Sequence, residues 1–260
     1  MTGLVSAADA DALVNAYYET KSRMTEYIPG AFAWEGAKGT RLVVTTLPDP
    51  ESNIVTVGHG RDLREVEAFA GELSATSLPW SFQVRGDIDP ELKGLAVRYG
   101  KTSTNTYPLL LWDAASTPAP PAALPDGAAV REVSGDDSEA FTAALAAGFQ
   151  APHDIARLIG LPAFLDDPGV TGFGLDLNGE TVATGINVLA GHYAGMYSGS
   201  VPPKHRGNGY YRALVSARLA DAVARGARYA FSTNTAMSRP LFESLGFRLA
   251  ATLTHLKPAP

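Results

Sequence analysis

The chain has 260 residues, 45% of them hydrophobic and 18% charged. That is enough apolar material for one large core or two modest ones, and it lies outside the polar, highly charged range of disordered chains. Twenty-one Lys and Arg against 27 Asp and Glu leave a formal net charge of −6, which argues against mechanisms that need a broad basic surface, such as tracking a nucleic-acid backbone. The absence of cysteine removes disulfides, thiolate metal sites and a cysteine nucleophile, and fits a reducing cytoplasm.

In chain order, the first residues carry Asp9 and Asp11, where an export signal would have a basic patch and an apolar run. No stretch of eighteen apolar residues marks a membrane span. Apolar spacing predicts a helix over 7–24, strands near 41–46 and 53–57, and a helix over 61–73. A strand at 80–84, with Trp80 and Phe82 as core, a helix from Pro90 to near Gly100 and a strand at 107–112 complete the first part. Residues 114–127, AASTPAPPAALPDG, hold four prolines and no apolar period, and read as a linker between a domain at 1–113 and one at 128–260.

Beyond the linker, Asp136, Asp137 and Ser138 signal the start of a helix over 136–150, whose apolar face is Phe141, Ala144, Leu145 and Phe149. A shorter helical stretch follows at 153–165. Residues 171–177 and 180–189 flank Asn178-Gly179, the signature of a tight hairpin. A turn at 190–192 then leads to a strand over 193–201. After the segment PPKHRGNG comes a helix from Tyr210 to about Arg225, with Leu214, Val215, Leu219, Ala222 and Val223 on one face and Gly226 as its stop. A strand at 229–233, a helix at 236–245 and a closing strand at 247–256 end the pattern. The fold class is therefore α/β with a mixed sheet. Landmarks in the two parts recur at offsets of 146–149 residues, so internal duplication is expected, and the two parts read as two domains of one kind.

Chemistry concentrates in residues 198–214, SGSVPPKHRGNGYYRAL. Gly207 and Gly209 let the backbone approach a ligand closely, and the first N–H groups of the following helix have no intrahelical acceptor. Such a terminus binds phosphate, with Lys204, His205 and Arg206 as further positive charge. Other phosphate motifs are missing: there is no GxxxxGK[ST], and Gly172 and Gly174 lack the third glycine of a dinucleotide fingerprint because Leu177 stands there. The five histidines show neither HxxxH nor HxH spacing, so no metal site is expected.

Arg206-Gly207-Asn208-Gly209-Tyr210-Tyr211 resembles the [QR]-x-x-G-x-[GA] loop of the GNAT superfamily of N-acetyltransferases, with Tyr211 where Gly or Ala is usual. Residues 234–247, NTAMSRPLFESLGF, are similar to a second block of that family, with Phe242 at a place usually held by tyrosine and unable to give a proton to a leaving thiolate. The resemblance covers about 129–257 and implies an acyl-CoA-dependent N-acyltransferase, with acetyl-CoA as cosubstrate and a small-molecule amine as acceptor. It implies that the pantetheine arm lies along Ser200 and Val201. Arg206, Gly207, Asn208, Gly209, Tyr210 and Tyr211 would hold the diphosphate, and Asn234 would touch the arm. The corresponding loop of the first part, at 57–62, lacks the arginine and glycine spacing, so that part reads as a degenerate GNAT-like domain.

A protonated amine must lose a proton, yet the strand leading to the loop has no Asp or Glu after Glu180. Tyr193 and Tyr197 are the catalytic candidates, sharing one strand face with Gly195. Ser238 and Arg239 are further candidates for lining the site. No nucleic-acid or membrane partner is expected, and a homodimer is left open.

Overall fold

A computed structural model describes residues 7–58 and 62–259. His59, Gly60 and Arg61, which belong to the phosphate-loop counterpart of the first part, lie outside them. Among the described residues, eleven strands and eight α-helices make up the mixed architecture, and the chain divides into two compact units. The first comprises Met1–Thr20 and Leu110–Arg248, the second Lys21–Leu109 and Leu249–Pro260. Neither unit is continuous in sequence: the start of the chain belongs to the unit built from the later residues, and the end belongs to the other. The division read from the sequence, 1–113 and 128–260, runs along the chain and does not contain this exchange.

In the second unit β1 (Phe32–Glu35), β2 (Arg41–Val44) and β3 (Ile54–Thr56) pair antiparallel in turn. After α2 (Leu63–Ser74), β4 (Ser81–Arg85) lies parallel to β3, with Ile54 opposite Ser81. The helix starts where Asp62 caps it, accepting from the N–H groups of Arg64 and Glu65. Helix α3 (Pro90–Arg98) starts the same way, on Asp89 with Pro90 in its first turn. The last strand of the chain, β11 (Arg248–Lys257), pairs antiparallel with β4. Leu42, Val55, Val66, Leu73, Trp80, Phe82, Leu92 and Leu256 form the core, so Trp80 and Phe82 are packing residues as expected.

The first unit contains the first part of α1 (Ala7–Thr25) and the end of β5 (Ser103–Asp113). It contains an antiparallel run of β6 (Ala128–Val133), β7 (Val170–Leu177), β8 (Glu180–Ala190) and β9 (Tyr193–Ser200). The β7–β8 turn has Asn178 at φ 50° and Gly179 at φ 86°, the positive pair that Asn-Gly adopts most readily. Helix α7 (Tyr210–Ala224) crosses over from β9 to β10 (Tyr229–Thr233), which lies parallel to β9. Each unit thus contains a parallel strand–helix–strand crossover, β3-α2-β4 in one and β9-α7-β10 in the other, at the expected spacing.

Several expectations are revised. Strands β1 and β6 are additions. The stretch expected as one helix at 153–165 is two short helices, α5 (His153–Arg157) and α6 (Pro162–Leu165), because Gly160 and the residue before Pro162 both resist the helical conformation. Helix α8 begins at Arg239 (Arg239–Ser244), not at 236. Of the predicted apolar faces, Phe149 at the end of α4 (Ser138–Phe149) is 54% exposed and Val223 is 42% exposed. The helical period continues past the surface each helix buries.

Phe231 is the clearest single test of this core. It is fully buried on β10, with ring contacts to Tyr17 and Tyr197 at 6.3 Å each. Phe231→Ala is expected to lower stability by about 3–5 kcal/mol, read as a shift of the urea unfolding midpoint.

Candidate active site

The site forms where two parallel strands stop pairing. Strands β9 and β10 keep register from Tyr193/Tyr229 to Gly195/Phe231 and then separate. A cleft of about 450 Å³ opens between Met196–Val201 side and the Ser232–Thr235 side, with Gly148, Phe149, Arg206, Tyr211, Met237, Ser238 and Leu241 completing its walls.

A β-bulge shapes one wall. Opposite β8, Ile186 faces Tyr197 and Thr184 faces Ser200, so Ser198 and Gly199 together oppose Gly185. Ser198 takes φ 52°, and the bulge turns the strand so that its outer edge no longer meets β10. Polar side chains fasten it. Thr184 shares a 2.8 Å hydrogen bond with Ser200 Oγ, and its hydroxyl lies 3.3 Å from the Ser198 carbonyl. Arg218 of α7, with no exposed surface, donates from Nη2 to the carbonyls of Ile186 at 2.6 Å and Tyr197 at 3.1 Å. Its Nε donates to Asn187 Oδ1 at 3.1 Å, and Asn187 Nδ2 returns a bond to the Arg218 carbonyl at 2.9 Å. Burial lowers the Arg218 pKa to about 10, against the pull of Tyr211 and Asp221, so the guanidinium remains a cation at neutral pH. Asp221 is in turn pushed up by burial.

The glycine loop meets its geometric requirements. Gly207 has φ 82° and Gly209, which caps α7, has φ 80°; a Cβ at either would point into open space. Among the described residues no side chain caps α7, so the N–H groups of Tyr210, Tyr211 and Arg212 are left by the helix's own pattern for an incoming acceptor. Asn208 shapes the turn, donating to the carbonyls of His205 at 3.1 Å and Arg206 at 3.2 Å. Arg206 does the same for the loop as a whole: Nε donates to the Val201 carbonyl and Nη2 to the Gly148 carbonyl at the end of α4, both at 3.0 Å. Lys204 turns to Glu180 at 2.7 Å, and the His205 ring packs edge-on to Tyr210.

Tyr211, the departure from the usual loop, points inward. Its hydroxyl occupies the space that a Cβ at Gly199 would fill, and its ring lies 6.1 Å from Phe242. The bulge glycine and the extra aromatic ring therefore accommodate each other. Asn234, just past β10, is buried; its Nδ2 donates to Ser238 Oγ at 3.2 Å, while its Oδ1 has no hydrogen-bond partner among the described residues.

The residues named from the sequence are thus largely brought together. Ser200, Val201, Arg206, Tyr211, Asn234, Tyr197 and Ser238 line the cleft, whereas Gly207, Asn208, Gly209 and Tyr210, between Arg206 and Tyr211 in the chain, are not among its lining residues. Tyr193 is not among the lining residues. It sits at the opposite end of β9, stacked on Tyr229 at 5.0 Å. The Tyr197 hydroxyl is held by Thr20 at 2.7 Å, and burial pushes its pKa up. Sequence reasoning missed Gly148, whose lack of a Cβ lets α4 close on Ser200. It also missed Arg218, although that arginine falls at helical spacing among Leu214, Val215, Leu219 and Ala222 and so interrupts an otherwise apolar face.

Comparison with known proteins gives this cleft a family. Residues 137–247 match the acetyltransferase (GNAT) family model. No curated protein sequence matches the chain. Among solved structures, a GCN5-related N-acetyltransferase from Kribbella flavida superposes with a TM-score of 0.69 at 18% identity, covering 96% of both chains. One from Sphaerobacter thermophilus gives 0.62 at 16% identity, covering 99% of this chain and 96% of that one. A tandem GNAT protein from the clavulanic acid biosynthesis pathway gives 0.58 at 13% identity, covering 99% and 98%. The loop between β9 and α7 and the gap between β9 and β10 lie within the matched segment, so residues 137–247 are a domain of the GNAT acetyltransferase family, and the chain as a whole has the GNAT fold.

Proposed function

We propose that the protein transfers an acetyl group from acetyl-CoA to an amine of a small molecule by direct attack. The observation that carries this reading is the juxtaposition of a parallel strand pair that stops pairing with a helix N-terminus preceded by two positive-φ glycines. The residues fit the cosubstrate. A diphosphate suits the N–H groups of Tyr210, Tyr211 and Arg212 and the positive end of α7. The unpartnered, buried Asn234 Oδ1 suits an amide N–H of the pantetheine arm, since a buried acceptor without a partner costs about 1–3 kcal/mol. Backbone N–H groups at Gly199, Ser200 and Val201, freed from β10 by the separation, are the donors for the thioester oxygen as negative charge grows on it.

Bound there, acetyl-CoA supplies an activated carbonyl, and the protein's part is to orient it and exclude water. Without cysteine there is no thiol to carry the acetyl group in between. Tyr197 remains a neutral hydroxyl held by Thr20, placed to hydrogen-bond the acceptor or a water that relays its proton. The N-terminal part, by this reading, is a degenerate domain of the same kind with a structural job.

Purified protein incubated with acetyl-CoA and a panel of amines is expected to release free CoA thiol in the presence of at least one amine. Phe242, which has no proton to give, favours a second reading in which the cleft holds CoA without turnover. Calorimetric CoA binding with no thiol release on any amine would select that reading.

A further inference from the structure

Acetyl transfer leaves one charge unaccounted for. As the C–S bond breaks, sulfur departs with the electron pair, and among the described residues that line the cleft there is no Asp, Glu, His or Lys. Two phenols line it. The Tyr197 hydroxyl is engaged: it shares a 2.7 Å hydrogen bond with Thr20 Oγ1, which also lies 3.0 Å from the carbonyls of Ala16 and Tyr17.

Tyr211 is placed differently. Its hydroxyl lies directly over Gly199, at the bulge, where the strand leaves β10. Across the bulge, Arg218 Nη1 occupies the space that a Cβ at Gly185 would fill, its charge acts on the Tyr211 phenol, and it has no hydrogen-bond partner among the described residues. A guanidinium can only donate, so any interaction between the two uses the lone pairs of the phenol oxygen and leaves the phenol proton for another acceptor. Bonds to Ile186, Tyr197 and Asn187 fix the Arg218 position. Two departures from the family pattern also meet here: the ring at 242, which has no proton, packs against the ring at 211, which has one.

We propose that Tyr211 is the general acid of this site, giving its hydroxyl proton to the departing CoA sulfur, and that Arg218 is the positioning residue that orients the phenol and steadies the phenolate left behind. The inference rests on the acetyl-transfer reading. The acceptor nitrogen's lone pair forms the new N–C bond. The C–S bond breaks, its electron pair stays on sulfur, and sulfur takes the proton from Tyr211 Oη. The proton lost by the nitrogen as the amide forms returns to the phenolate, directly or through water. Burial pushes the Tyr211 phenol up, with Arg218 pulling it partly back, so the acid is in its protonated form at neutral pH.

Tyr211→Phe keeps the ring packed on Phe242 and removes only the hydroxyl. Acetyl-CoA affinity by calorimetry is expected to stay within twofold and kcat for amine acetylation to fall about 100-fold, the lower end of what a general acid contributes. A second readout needs no acceptor: CoA labelled with carbon-13 beside the sulfur, titrated by NMR in the binary complex. With Tyr211 donating to sulfur, the bound thiol loses its proton at least one pH unit lower in wild type than in the variant. Should Tyr211→Phe fold poorly, difluorotyrosine at 211, a more acidic phenol, is expected to move the alkaline limb of the kcat profile downward. Unchanged kcat, equal thiol midpoints or an unmoved alkaline limb would overturn the assignment while leaving acetyl transfer standing. Failure of the wild type to bind CoA would sink both together.

Discussion

A Gly209→Glu variant is expected to bind acetyl-CoA about 100-fold more weakly than wild type in a calorimetric titration, with the rest of the fold retained by circular dichroism. Two costs add. Gly209 caps α7 at φ 80°, a conformation that costs a residue with a Cβ about 1–2 kcal/mol. The carboxylate would also lie at the end of α7 where the diphosphate is proposed to sit. It would replace an attraction of about 0.3–1 kcal/mol for an anion with a repulsion of similar size. Together these approach the roughly 2.7 kcal/mol of a hundredfold loss. The space in front of Gly209 is open, so the side chain has room and the effect is not one of crowding. Equal affinities in the two proteins would mean that the diphosphate lies elsewhere.

The second large effect is expected in acid, from a cluster in the second unit. His255 is buried between Ser81, whose Oγ is 2.9 Å from Nδ1, and Gln83, whose Nε2 is 2.7 Å from its own Nε2. Burial lowers its pKa from 6.5 to about 3, helped by the charges of Lys21 and Lys257 and opposed by Glu51. Glu51, although burial alone would raise it, is brought down to about 2 by hydrogen bonds from Lys257, Asn105 and Tyr107. Both shifts act in one direction. The unfolded chain takes up a proton on His255 below about pH 6.5 and the folded chain only near pH 3, so stability from this group is full above 6.5 and drains away as the pH falls through that window. For His255 alone the loss is about 3–5 kcal/mol; Glu51 adds to it below pH 4.5. His255→Gln is expected to flatten the pH dependence of urea stability between pH 6.5 and 4.5 while retaining its decline further down. An unaltered slope across the upper interval would show that other groups govern acid unfolding.

Much of this was legible in the amino-acid order because it is local. The Asn178-Gly179 turn, the helix beginning at Tyr210 and the open amides ahead of it follow from residues within a few positions of one another. The cleft's chief shaping device was not legible. Nothing in the residues around Ser198 announces that a serine takes a positive φ, because what holds it there is a threonine on β8 and an arginine on α7, brought in by sheet register and helix packing. Nor does Tyr211, standing where Gly or Ala is usual, announce that its side chain turns inward, into room left by Gly199. The amphipathic period extended to Phe149 and Val223, but period alone does not say where the covering surface stops. The exchanged ends were equally hidden, since strand partners far apart in sequence leave no periodic mark.

That exchange governs the order in which the protein can be made. During synthesis the α1 segment of the first unit is made about ninety residues ahead of the rest of that unit, and β11 follows the rest of the other unit by about 140 residues. Neither body can be completed before part of the other has been made, and cutting the chain in the proline-rich segment yields two fragments that each want a missing piece. Folding of each body is therefore governed by long-range closure, and mixing the two fragments is a more natural route to a native cleft than expressing either alone.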